Sequence, residues 1–153
     1  MITDRRAVSS VVSYTLLVGI TLVLTTGLIL GTGSVVEQQR ERTAQSQLQI
    51  VAERLSDTLT TADRLVRGTE TAPDTVALTR RFPSRVAGTG YTLAVTTGGS
   101  GPRLRIEAND LDATVTVPLR VETDLAETRV NGGTIRVVYD PTASPPQLEV
   151  HDG

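Results

Sequence analysis

Residues 7–36 read AVSSVVSYTLLVGITLVLTTGLILGTGSVV, thirty positions without a charged side chain, and the fold turns on how this stretch is read. As a helix rising ~1.5 Å per residue it measures roughly 45 Å, more than the ~30 Å hydrocarbon core of a bilayer requires. A core helix of a soluble domain would carry a polar face, and between Val11 and Leu30 only Thr and Ser hydroxyls interrupt the apolar run. A removed secretory signal has an apolar region of only about 7–15 residues. The stretch therefore reads as a helix that stays on the chain and spans a membrane. Gly27 and Gly31 stand four apart, with Gly19 two turns earlier, so one face offers notches where another helix packs closely. Thr15, Thr21, Thr25 and Thr26 can return their hydroxyls to carbonyls of the preceding turn, which removes their cost in lipid.

Arginine borders the stretch on both sides, Arg5 and Arg6 before it and Arg40 and Arg42 after it, so the positive-inside count is nearly even. A seven-residue tail with two arginines, followed by a long domain that translocates regardless of its charge, favours a cytoplasmic N-terminus. The expected localisation is the cell membrane, single-pass, with the C-terminal domain outside.

Beyond Val36 the chain turns polar without a helix breaker before Gly68. Ala44, Leu48, Val51, Leu55, Leu59, Ala62 and Val66 recur at spacings of 4, 3, 4, 4, 3 and 4, one apolar stripe on a continuing helix. That stripe needs a cover, either a sister helix in a coiled coil or the chain's own C-terminal sheet. From residue 75 strands are expected at 76–79, 91–97, 103–107, 114–121, 134–139 and 147–150, several of them alternating cleanly as in Tyr91-Thr92-Leu93-Ala94-Val95. Gly98-Gly99-Ser100-Gly101 and Asn131-Gly132-Gly133 are expected to close hairpins. The fold class is α+β: a long N-terminal hydrophobic helix, first transmembrane and then amphipathic, packed on a small C-terminal antiparallel β-sheet domain in a lollipop arrangement.

Composition excludes much chemistry. There is no cysteine and a single histidine, His151, which leaves no thiol catalysis, thiolate metal site or Ser-His-Asp arrangement, so no catalytic residue, cofactor or metal is expected. All 15 basic residues are arginine against 17 acids, so no basic field for nucleic acid is expected, and no small-molecule substrate. Gly98-Gly99-Ser100-Gly101 precedes a strand rather than a helix and reads as a hairpin tip, not a phosphate cradle. Asn109-Asp110-Leu111-Asp112 lacks the length of a calcium loop and reads as a polar turn. Arg80-Arg81, before Phe82-Pro83, reads as a solvated pair or a partner for nearby acids rather than an anion site.

The opening Asp4-Arg5-Arg6-Ala7-Val8-Ser9-Ser10-Val11-Val12-Ser13, running into Tyr14-Thr15-Leu16-Leu17-Val18-Gly19-Ile20-Thr21, resembles the N-terminus of archaeal type IV pilins and archaellins. The likeness covers about residues 4–36; Ser10 and Ser13 replace the proline and second glycine that haloarchaeal members usually carry. Abundant Thr, Val and Arg without lysine is a composition similar to that of salt-loving archaea. The resemblance implies a leader (1–7) cut by a prepilin peptidase at Arg6, Ala7 and Val8, between Ala7 and Val8. It further implies a transmembrane and filament-core helix (8–36), an amphipathic continuation (37–67) and an extracytoplasmic β domain (75–153). Partners would be membrane lipid, the prepilin peptidase and like or related pilin subunits. The implied role is structural, a minor pilin-like subunit of a pilus-like surface assembly. The competing expectation is a single-pass anchored protein whose β domain binds something, with no filament.

Overall fold

In the computed structural model the backbone is described for residues 4–68, 75–99 and 101–153, and the side chains of those residues apart from 4–11 and 30–34. The chain divides into two compact units, Met1–Gln39 and Arg40–Gly153. Helix α1 (Asp4–Arg67) supplies the described part of the first unit and the opening element of the second. It stops where expected: Gly68 donates its N–H to the Arg64 carbonyl at 2.8 Å, and a Cβ on Gly68 would meet that oxygen at 2.9 Å. Arg64 and Arg67 occupy the last turn, where cations complement the negative end of the helix dipole.

Among the described residues eight strands follow: β1 (Ala77–Arg81), β2 (Tyr91–Gly98), β3 (Gly101–Ala108), β4 (Thr114–Pro118), β5 (Asp124–Leu125), β6 (Thr128–Asn131), β7 (Thr134–Asp140) and β8 (Gln147–Asp152). They form two four-stranded sheets, ordered β1-β7-β8-β5 and β4-β3-β2-β6, where the sequence suggests one. The expectation of a purely antiparallel sheet is corrected at one pair, since β5 runs parallel to β8. Segment 124–131 serves both sheets, Leu125 lying beside Leu148 in one and Val130 beside Leu93 in the other.

Alternation builds each core face. Leu93 pairs across with Ile106 and Val95 with Leu104; on the far side of β3, Ile106 meets Val115. In the other sheet Val137 pairs with Val150 and Tyr139 with Leu148. Arg103 and Arg105 occupy the opposite, exposed face of β3. The stripe from Ala44 to Val66 is buried in the same cluster as these strand residues, so within Arg40–Gly153 the cover of the helix is the chain's own sheets. Each Leu or Val so buried contributes about 1.5–3 kcal/mol.

Gly98 and Gly101 face each other across the β2–β3 hairpin, as expected. Asn131-Gly132-Gly133 does not close a hairpin, because β6 pairs with β2 while β7 pairs with β1 and β8. Its glycines answer a close approach instead: a Cβ on Gly132 would lie 2.3 Å from Cζ of the buried Tyr91, and Gly133 has φ +143°. A tight turn at Ala87-Gly88 has both residues at positive φ, 47° and 86°, and Gln47 Oε1 on α1 accepts the Ala87 N–H at 2.9 Å.

Candidate functional site

In the first unit the described surface is apolar until the chain reaches Glu37. Val12–Ile29 is long and apolar enough to cross a membrane, and none of it is buried. Tyr14, Leu22, Val23, Leu28 and Ile29 each expose about two-thirds or more of their surface (67–71%). Such a face is costly in water and matches hydrocarbon. The hydroxyls within it are satisfied internally: Thr21 donates to the Leu17 carbonyl, Thr25 to Thr21 and Thr26 to Leu22, each at 2.8 Å. A Cβ built on Gly19 or Gly27 meets nothing within 4 Å, so these two positions are open notches on the helix surface. Gly31 and the side chains of Arg6, Ala7 and Val8 lie outside the described residues; the backbone of all four is within α1.

In the second unit two arrangements join α1 to the strands. The first centres on Asp63, which is 4% exposed. Its Oδ1 accepts the N–H of Thr123 at 2.8 Å and of Glu122 at 3.2 Å, while Arg67 approaches its Oδ2 at 3.7 Å and pairs with Glu122 at 2.8 Å. Burial pushes this carboxyl up, but the N–H and hydroxyl of Thr123, the N–H of Glu122 and the Arg67 charge together hold it below the ordinary 3.8. The loop after β4 is thereby fastened to the last turns of the helix. Sequence reading missed Asp63, which sits one place from the apolar stripe and carries no local signal of its partners sixty residues on.

The second is a cleft of about 360 Å3 between α1 and the end of β1, where Arg54, Asp57 and Thr61 from the helix face Arg80 and Arg81 from the strand. Buried Thr58 and Phe82 complete its lining. Tertiary structure thus joins Arg80-Arg81 to a third arginine 26 positions earlier.

The other motifs sit as polar structure. Asp110 Oδ2 accepts the Thr89 hydroxyl at 2.6 Å and Asn109 Oδ1 that of Thr92 at 3.2 Å. His151, exposed near the end of β8, places its Nε2 2.9 Å from Glu149 Oε2. Tyr91 donates its hydroxyl to the Pro83 carbonyl at 2.6 Å, and burial pushes its pKa up to about 12. Among the described residues no group of three or more His, Asp or Glu is placed to hold a metal ion. Comparison with curated proteins and with solved structures finds no match to this chain. A family described as a family of unknown function (DUF7266) matches residues 3–151, nearly the whole chain, and the chain belongs to that family.

Proposed function

We propose that this chain is a structural, pilin-like subunit, held in the membrane by its N-terminal helix and passed from there into a pilus-like archaeal surface assembly. The observation that carries the reading is the apolar, uncovered span Val12–Ile29 directly behind the charged border Asp4-Arg5-Arg6 and the small residue Ala7. A surface of this kind suits two surroundings, lipid and the dry centre of a helix bundle, and a subunit that moves between them needs no change of side chains. Gly19 and Gly27 on that surface provide places where sister helices approach. The role is one of scaffolding rather than catalysis.

Mass spectrometry of the mature N-terminus tests the reading. The expected product begins at Val8, from cleavage between Ala7 and Val8 by a prepilin peptidase. An intact N-terminus, or one beyond the apolar span, overturns it. Recovery of the protein in sheared surface filaments supports assembly, and strict retention in the membrane fraction assigns it instead to a single-pass anchored protein with an outer binding domain.

A further inference from the structure

The geometry points to the cleft between α1 and β1 as a binding site for a small oxyanion carrying two or more negative charges, a phosphate or a polycarboxylate, held by Arg54, Arg80 and Arg81. This site is independent of the structural role proposed above. Like charges gather at a cost unless an anion sits among them. Here three guanidinium groups against one carboxylate, Asp57, leave an excess of two positive charges, in a chain with more acids than bases overall. Arg54, Arg80 and Arg81, like most arginines among the described residues, form no ion pair, and these three line one cleft. Asp57 lines the same cleft and offsets one of the three charges without forming a contact ion pair with any of them.

The remaining polar groups are occupied in ways that leave recognition to the arginines. Thr58 donates its hydroxyl to the Arg54 carbonyl at 2.9 Å and Thr61 to the Asp57 carbonyl at 2.8 Å, so neither hydroxyl proton is free for a ligand. Planar guanidinium forks match pairs of carboxylate or phosphate oxygens with two parallel hydrogen bonds, and the excess of two charges favours a multivalent anion over chloride. A volume of about 360 Å3 lies within the range of small-molecule sites. The arginines are carried by ordered elements: Arg54 is exposed on α1 beside the buried stripe, and Arg80 and Arg81 close the edge strand β1 opposite Ile135 and Thr134 of β7, their long side chains starting from opposite faces of the strand.

The test is isothermal titration of the full chain in detergent with inorganic phosphate and, separately, citrate, at ionic strength held constant with chloride. Saturable one-to-one binding is expected, weakened about tenfold or more by Arg81→Gln and by Arg54→Gln. Asp57→Asn is expected to tighten binding several-fold, and Arg120→Gln, which removes the same charge from an exposed position outside the cleft, to leave it within about twofold. Binding of phosphate alone assigns the phosphate class, and of citrate alone the carboxylate class. Absence of saturable binding by both anions, or equal weakening by Arg120→Gln and Arg81→Gln, overturns the proposal. Far-UV circular dichroism of each variant checks that the exposed substitutions leave the fold in place.

Discussion

Asp63 shows how much one side chain does at the junction of helix and loop. Two backbone N–H groups, those of Glu122 and Thr123, end on a single carboxylate oxygen, and Arg67 bridges Asp63 to Glu122. Asp63→Ala leaves both donors without their acceptor and is expected to cost about 1–3 kcal/mol at neutral pH. Asp63→Asn, which keeps an acceptor oxygen and loses the charge, costs less. The pH dependence has a definite sign. Because the folded state holds this carboxyl below the ordinary 3.8, its contribution is complete above that pH and is lost as pH falls through the folded value. Glu127, held down by the N–H and hydroxyl of Thr97, and Asp140, held down by the hydroxyl and N–H of Thr142, add acid sensitivity of the same sign. The difference between wild type and Asp63→Ala isolates Asp63, so denaturant unfolding at pH 7 and pH 3 should show the gap between the two shrinking on acidification. A gap that stays constant contradicts an ionised Asp63 as the fastening group.

At the scale of elements, what was legible in the sequence was whatever repeats locally. All seven stripe positions from Ala44 to Val66 are buried, because a helix lying on sheets buries the face its 3.6-residue period defines. Ala52 and Thr58 were not legible: the two sheets cover more of the helix than one stripe, and nothing in a single helix states the width of its cover. Strands with alternation were found, while two-residue β5 and four-residue β6 were not, since Asp124-Leu125 and Thr128-Arg129-Val130-Asn131 are too short to alternate audibly above loop composition. Asn131-Gly132-Gly133 misled for a related reason, as a turn signature reports local backbone and not which sheet each flanking strand joins. The stripe makes a sharp prediction. Leu55→Ala, at a fully buried position, is expected to cost about 2–5 kcal/mol. Ile50→Ser, five residues earlier on the 47%-exposed face of the same helix, should stay within about 0.5 kcal/mol. Thermal midpoints of the two variants decide it, and equal losses would mean that the outer face of the helix is covered too.

At the scale of the whole molecule the chain is two problems in solvation. Burial within the chain belongs to the second unit: every buried hydrophobic side chain among the described residues lies at Ala44 or beyond, whereas the apolar side chains of Val12–Ile29 have no cover from the chain. The anion cleft was out of reach of sequence reading on the same account, because Arg80-Arg81 is visible as a dipeptide while Arg54 joins it only once helix and strand share a core. Eight of the 25 core side chains among the described residues come from α1, all of them after residue 39. Arg40–Gly153 thus contains its entire core, and a fragment of those residues is expected to be water-soluble and to unfold in one cooperative transition. A fragment starting at residue 75 lacks the helical third of that core and is expected to remain unfolded, since a sheet domain of this size has little stability to lose. Circular dichroism melts of the two fragments test this directly. A cooperative melt from the shorter fragment would show that the sheets close a core without the helix, and failure of the longer one would show that the apolar N-terminal segment takes part in folding the second unit.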